Sequence, residues 1–437
     1  MRVATVEGVS SPPDDPLGRP APSLLRRIAL DVRPLRVSRD FRLLWTGLFV
    51  SELGYQFALV AIFVQVYRLT GSAAAVGLTG LFSLIALFGG VLLSGTVIDA
   101  YDRRKLLMLA QVGFAIGSGV LLAGALAGRP PVGLIYAAAA LTAAVSSIDS
   151  PTRSAMTPRL VGYQLLPSAL ALNQVVWNAV GLLGPALGAI VIARLGLSWA
   201  YAIDLVTYGV MLLVAYLVRP MPPLRDDVDH DATGWGAVRQ GFAFVRDSRL
   251  LQSTFVIDLI AMIFGLPRAL FVVLAATQFH RGTEVVGLLF AAPALGALLG
   301  ALTGGWVTRV RRPGVAVVWA VAAWGAAVAA FGLVGAHLLP AIALLAVAGA
   351  ADVISAIFRS TILQLSVPDA LRGRLSAIHI LVVTGGPRLG DLEAGVVAQA
   401  FTPLISVVSG GLVCVVGAAF VAALYPQLRR YRAASAT

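Results

Sequence analysis

The sequence predicts an all-α integral membrane protein, with twelve transmembrane helices arranged as two pseudo-symmetric six-helix bundles. Three observations predict it: an apolar composition, a series of separated apolar runs of membrane-crossing length, and basic residues concentrated in alternate connections. Hydrophobic residues make up 58% of the chain and charged residues 12%, and the mean hydropathy is +0.87. An ordinary soluble domain carries about 25% charged residues, so this chain requires lipid as its solvent. Its 437 residues accommodate twelve helices of about 20 residues, the length that crosses a hydrocarbon core of about 30 Å.

The first half supplies six apolar runs, at 45–67, 74–97, 106–126, 132–150, 171–193 and 200–218. Pro220, Pro222 and Pro223, followed by Asp226, Asp227, Asp229 and Asp231, then prevent a span. In 234–249, Trp235, Val238, Phe242 and Val245 recur at helical spacing beside Arg239 and Arg246, the pattern of a helix lying at the membrane surface. Six further runs follow, at 255–276, 286–307, 315–333, 339–365, 375–401 and 403–424. The expected organisation is a partly disordered N-terminal tail (1–40), a six-helix bundle (41–218), a linker with its surface helix (219–249), a second bundle (250–427) and a short tail (428–437). Residues 1–40 lack an apolar core followed by a small-residue cleavage site, so no cleaved signal peptide is expected.

A net charge of +12 in a soluble protein would suggest nucleic acid, but placement decides otherwise. Arg42, Arg103, Arg104, Lys105, Arg159, Arg219, Arg311, Arg312, Arg372, Arg374, Arg429 and Arg430 fall in alternate connections, whereas the intervening ones carry Arg68, Arg129, Arg194 and Arg281. The positive-inside rule explains that asymmetry without a nucleic-acid partner and places both termini in the cytoplasm. The sole cysteine, Cys414, lies in the last apolar run, so no intrachain disulfide is expected. No cofactor is expected. No His/Cys cluster suggests a metal, and the absence of a Gly-x-x-x-x-Gly-Lys-Ser/Thr loop argues against ATP-driven transport or another enzymatic role.

Two internal correspondences suggest duplication: Gly95 with Gly304 or Gly305, and Arg153-Ser154 with Arg359-Ser360, the latter 206 residues apart. Within the fifth run, Gly184, Pro185 and Gly188, with Gly181, predict a bend or a sliding contact, because proline removes a backbone hydrogen bond and glycine admits a close neighbour.

The connection after the second run reads Gly95-Thr96-Val97-Ile98-Asp99-Ala100-Tyr101-Asp102-Arg103-Arg104-Lys105. It resembles the signature loop of the Major Facilitator Superfamily, with Gly95, Asp99, Arg103 and Arg104 in the expected places, Ala100 where an arginine is usual and Asp102 where a glycine is usual. Arg39-Asp40-Phe41-Arg42-Leu43-Leu44-Trp45, Tyr67-Arg68-Leu69-Thr70-Gly71-Ser72, Asp149-Ser150-Pro151-Thr152-Arg153 and Gln364-Leu365-Ser366-Val367-Pro368-Asp369 also match. They are similar to the branch that contains enterobactin, macrolide and tetracycline exporters. The resemblance implies a cytoplasmic gate formed by Gly95, Asp99, Arg103, Arg104, Asp149 and Arg153, and a central cavity lined by spans 1, 4, 7 and 10. Gly184-Pro185-Ala186-Leu187-Gly188 is similar to part of the span 5 signature of antiporters, with Val180 and Ala189 where glycines are usual.

Ionisable groups inside the hydrocarbon cost several kcal/mol unless paired or wet, so they are functional candidates. Glu52 lies about ten residues into the first run, roughly 15 Å deep. It is the leading proton-coupling candidate, followed by Asp352 and Asp258. Tyr55, Gln56, Asn173, Asn178, Arg268, Arg359, Arg388 and Asp391 are candidates for the substrate cavity, although Arg388 and Asp391 stand at a spacing that also suits a structural i, i+3 pair. The expected function is proton-coupled efflux, by antiport, of a siderophore, drug or other small secondary metabolite across the plasma membrane. The expected partners are the bilayer, the substrate and protons, and the expected state is a monomer. The alternatives are an importer of the same fold and a membrane receptor or sensor that transports nothing.

Overall fold

The computed structural model describes residues 31–222, 242–303, 310–367 and 369–432, with side chains described throughout except at 92–96, 99, 369–374, 376–377 and 380. The N-terminal tail before 31, most of the linker, and Gly304 and Gly305 lie outside the described residues.

The first half forms α1 (Arg39–Thr70), α2 (Ala73–Ala100), α3 (Arg103–Leu126), α4 (Val132–Val161), α5 (Leu166–Arg194) and α6 (Leu197–Leu217). The second forms α7 (Arg249–Phe264), α8 (Leu270–Thr277), α9 (Thr283–Leu302), α10 (Pro313–Leu333), α11 (Leu338–Ser366), α12 (Asp369–Ala400) and α13 (Pro403–Leu424). Ten of these, α1–α6, α9–α11 and α13, are long and apolar enough to cross a membrane. The chain is a multi-pass membrane protein. The two remaining expected crossings correspond to the pair α7 and α8 and to the 32-residue α12.

Helix ends follow local chemistry. Ser38 caps α1 by accepting the N–H of Phe41, Ser72 caps α2 by accepting that of Ala75, and Ser248 caps α7 by accepting that of Leu251. Asp102 accepts the N–H groups of Arg104 and Lys105 and starts α3. Gly71, at φ 63, ends α1 in the left-handed conformation that glycine adopts without steric cost.

The structure corrects three boundaries. The fourth apolar run does not stop at residue 150, because α4 continues through Pro151 and Pro158 to Val161. A transmembrane helix tolerates proline where neighbouring groups take up the freed carbonyls. The seventh run is not one helix: it breaks between Phe264 and Leu270, at Gly265-Leu266-Pro267-Arg268-Ala269. Pro267 has no N–H to continue the ladder, and the freed groups find partners elsewhere. Trp324 Nε1 donates to the Gly265 carbonyl at 2.9 Å, and the Ala269 N–H donates to Asp391 Oδ1 at 3.0 Å. Within the predicted surface helix, residues 242–247 are helical, but Phe242 is exposed while Phe244 and Val245 pack near Leu251, Val367 and Leu375. Val245 thus packs inward as expected and Phe242 does not, while Trp235 and Val238 lie outside the described residues.

Packing repeats between the halves. α1 packs on α5 and α6, α2 on α4, and α3 on α4 and α6; correspondingly, α7 packs on α12 and α13, α9 on α11, and α10 on α11 and α13. The halves meet along α2 against α12 and α5 against α9, a pair of contacts that the same correspondence exchanges. The repeat extends to single residues. A Cβ on Gly90 would strike Ser147 and the Ala144 carbonyl, and a Cβ on Gly296, 206 residues later, would strike the Ala346 backbone. Both glycines let helix backbones approach where small residues drive association in lipid.

At the end away from the linker the halves are closed on each other. Gly77 and Gly80 abut the backbone of α12 at Asp391 and Arg388, and Gly287 abuts Pro185 and Ala189 of α5. Hydrogen bonds from Arg68 to Thr283 (3.2 Å) and from Ser72 to Gln399 (2.9 Å) tie the same end. Beneath them lies the main core, where Phe63 stacks on Phe290 and Phe271 meets Phe290 edge-on.

Adjacent glycines in α2 test this packing. Gly90→Val forces a methyl into α4 and is expected to destabilise the purified protein by about 1–3 kcal/mol. Gly89→Val faces open space and is expected to be neutral. Thermal unfolding of the two variants in detergent distinguishes them.

Candidate functional site

The continuation of α4 past Pro151 places Asp149 and Arg153 one turn apart on one helix face. Arg153 Nη2 lies 2.8 Å from Asp149 Oδ2 and donates to Glu52 Oε1 of α1 at 3.1 Å. Gln111 of α3 donates to the other oxygen, Asp149 Oδ1, at 2.9 Å. One guanidinium thus serves two carboxyls on two helices. Asp149 is buried, and Arg153 and Glu52 are only 12% and 13% exposed. Both Asp149 oxygens are engaged, one by the Gln111 hydrogen bond and the other by the Arg153 ion pair, whereas Glu52 is engaged through one.

The second half repeats the arrangement in the same register. Arg359, 206 residues after Arg153, lies 3.0 Å from Asp258, itself 206 residues after Glu52. Ser355 takes the place of Asp149 and accepts from Arg359 Nη1 at 2.9 Å. The second carboxyl comes instead from Asp352, 3.8 Å from Arg359 and 38% exposed. His379 of α12 brings Nδ1 to 3.6 Å from Asp258 Oδ2. Each half therefore holds one arginine between two carboxyls, taken from the first and fourth helices of its bundle pattern.

A third group lies where α1, the break between α7 and α8, and α12 converge. Tyr55 is within electrostatic reach of Arg388 and Arg268. The i, i+3 pair expected between Arg388 and Asp391 is not formed: Arg388 donates to the Thr384 carbonyl at 2.7 Å, and Asp391 receives the Ala269 N–H at the start of α8. Asp391, 5% exposed, is a helix cap rather than an open cavity wall. Among the described residues, Arg268 has no carboxylate within 4.0 Å.

Other expected positions fall elsewhere. Gln56 packs against Gly184, and Phe57 against Gly188, so these glycines seat α5 on α1; α5 runs unbroken through Pro185. Asn178 accepts from Gln174 on the exposed face of α5, and Asn173 is half-buried on the same helix. Of the expected gate, Gly95 and the Asp99 side chain lie outside the described set. Among the described residues, Arg104 pairs with no carboxylate. Its Nε donates to the Ala215 carbonyl at 3.2 Å, Nη2 donates to the Tyr216 carbonyl, and its guanidinium lies over the Tyr216 ring, so it secures the C-terminal end of α6. Arg103 donates its backbone N–H to Met221. Asp149 belongs to the Arg153 cluster, and no contact joins it to Arg103 among the described residues.

Gln111, His379 and Asp204 were not singled out from the sequence. Asp204, 1% exposed on α6, accepts from Ser118 of α3, and the absence of a Cβ on Gly54 lets α1 lie against it. An aspartate in the interior of the sixth apolar run was the available signal. Gln111 and His379 carry none, because their importance depends on which helix stands opposite.

The family described as transmembrane secretion effector matches residues 31–436. The enterobactin exporter EntS of Citrobacter koseri is 28% identical over 403 residues, covering 92% of this chain and 96% of that protein. Its counterpart from Shigella boydii serotype 18 is 26% identical over the same coverage. Among solved structures, the nucleoside transporter NupG superposes with a TM-score of 0.69 at 14% identity, covering 90% of this chain and 100% of that one. A bacterial homologue of the iron transporter ferroportin, in an inward-facing state, gives 0.65 at 16%, covering 90% and 99%. These structures share the fold. The chain belongs to the transmembrane secretion effector family of the Major Facilitator Superfamily, and is a secondary transporter rather than an enzyme.

Breaking one clamp without the other tests its structural weight. Arg153→Met leaves two carboxyls facing each other in a dry site and is expected to cost about 3–5 kcal/mol. Combining it with Glu52→Gln and Asp149→Asn is expected to restore most of that loss, as read from unfolding midpoints in detergent.

Proposed function

We propose that this member of the secretion effector family is a proton-coupled exporter of a small secondary metabolite, with a siderophore as the favoured cargo. The observation that carries the proposal is the paired arginine clamp. Glu52 and Asp149 face Arg153, and Asp258 and Asp352 face Arg359, so each cluster is electrically neutral only when it holds one proton. Coupled carboxyls of this kind bind protons as a unit. Because Asp149 accepts a hydrogen bond from Gln111 and also pairs with Arg153, the first clamp's proton rests on Glu52. In the second, Asp352 is the more exposed carboxyl and is the one that exchanges with water.

Each clamp links two helices, α1 with α4 and α7 with α11, and loading or unloading its proton alters the strength of that link. The two six-helix bundles, 41–218 and 250–427, would then rock about the central group of Tyr55, Arg268 and Arg388. Arg268, with no carboxylate within 4.0 Å among the described residues, together with Arg388, favours a cargo that carries negative charge. Export and the siderophore class rest on the enterobactin exporters, which this chain matches over nearly their full length. The positive-inside rule supports residence in the plasma membrane with both termini cytoplasmic.

Reconstituted vesicles under an imposed pH gradient test the coupling. Wild-type protein should move a catecholate siderophore against its gradient, and Glu52→Gln and Asp352→Asn should each lower gradient-driven flux by at least about tenfold, within the range for loss of a positioned proton-transfer group. Exchange without a pH gradient should persist. Unchanged coupled flux in Glu52→Gln would remove that residue from its role, and absence of flux for every anionic candidate would overturn the export reading.

A further inference from the structure

The arginines at the interfacial ends of the two halves are used differently. In the first half, Arg104 is bound to the carbonyls of Ala215 and Tyr216, Arg159 to that of Pro222, and Arg219 to that of Arg159 and to Asp40. In the second half, Arg312, Arg429, Arg430 and Arg432 surround one cavity of about 780 Å³, together with Trp319 and Ala422. Among the described residues, none of these four guanidinium groups has an ion pair or a hydrogen-bond acceptor, and no carboxylate lines the cavity.

The cavity is built rather than incidental. After α13 the chain turns into a short helix, Pro426–Arg430, whose Leu428 is fully buried. Gly314, in the first turn of α10, lies so close to the Leu428 carbonyl that no side chain fits there. That contact fixes Arg429 and Arg430 beside Arg312 at the start of α10. Below them the walls turn apolar, with Val315, Val318 and Ala422. Trp319 is 71% exposed and stands between this cavity and a second, of about 490 Å³, lined by Ala316, Ala320, Ala323, Ala351 and Ile354 and sharing Arg312.

We propose that this site binds one anionic phospholipid, its phosphate among Arg312, Arg429, Arg430 and Arg432 and its acyl chains in the apolar grooves on either side of Trp319. Four cations around one polar opening match a negatively charged headgroup, and guanidinium suits phosphate because its N–H groups can bind two oxygens at once. Each arginine near an anionic leaflet adds favourable electrostatic energy, and the indole suits the headgroup boundary. A soluble phosphate would use the arginines but leave both apolar grooves unfilled.

Native mass spectrometry of the full-length protein in detergent, titrated with phosphatidylglycerol or with phosphatidylcholine of the same chain length, tests the proposal. Wild-type protein is expected to retain one phosphatidylglycerol at a lipid concentration at least about tenfold lower than for phosphatidylcholine. The variant Arg312→Gln/Arg429→Gln/Arg430→Gln/Arg432→Gln should lose that preference. Ala422→Trp, which fills the apolar floor and leaves every arginine in place, should weaken retention while its unfolding midpoint stays unchanged. Arg159→Gln/Arg219→Gln should keep the preference. Equal retention of the two lipids by wild type, or an unaltered preference in the four-arginine variant, would overturn it. Displacement of the lipid by millimolar inorganic phosphate would also overturn it, in favour of a soluble anion.

Discussion

A guanidinium inside a bilayer has no water to turn to, and that constraint organises the rest of this molecule. Arg153 and Arg359 are each nearly shielded from solvent, so each is met by one carboxyl on its own helix and one that the same sequence places on another. Their positions dictate which helix faces turn inward, why α4 must continue past Pro151, and why α1 and α4, like α7 and α11, are held in one relative register. The apolar contacts that surround them are less specific, since lipid chains compete with leucine and valine on nearly equal terms. Polar clusters therefore provide the registration, and small residues provide the proximity.

The two halves are copies that have diverged at informative points. Glu52 and Asp258, Arg153 and Arg359, and Gly90 and Gly296 are all separated by 206 residues, which makes the clamp and the close helix crossing parts of one ancestral unit. The third member has changed: Asp149 in the first half is Ser355 in the second, and the missing carboxyl reappears three positions earlier as Asp352. The result is a buried clamp in one half and a partly exposed one in the other. The broken span has likewise lost symmetry. Whereas α1 is continuous, its counterpart is divided into α7 and α8, with Trp324 and Asp391 supplying the hydrogen bonds that the break exposes.

Much of the architecture was legible in the sequence, because membrane helices announce themselves by length and hydropathy and the signature connection by its residues. The ends of helices were less so: the polar stretch after residue 150 looked like an exit from the bilayer, yet its charges are satisfied internally. The break near Pro267 was masked by the apolar residues on both sides of it, since what permits it is an aspartate more than a hundred residues later. Among ionisable residues, composition indicated which were costly to bury but not which would pair. Glu52 looked like an isolated acid until Arg153 was found opposite, and Arg388 and Asp391 looked like partners until each bonded elsewhere. His379 and Gln111 take their meaning from adjacency alone. Arg104, placed by the sequence beside the signature connection, also binds the Ala215 and Tyr216 carbonyls at the end of α6, a contact that depends on which helix stands opposite.

The seam that joins the halves away from the linker is made largely from backbone. Gly77, Gly80, Gly287 and Gly395 bring main chain against main chain, with Arg68 and Ser72 providing the hydrogen bonds across it. Side chains at most protein interfaces must settle into one rotamer on closure and are released on opening, so each cycle carries an entropic cost. Glycine and alanine have almost no rotamers to lose. A seam of this kind fits like a gasket between two machined faces: it is tight by shape and nearly free of side-chain ordering, so little rotamer entropy stands against its formation.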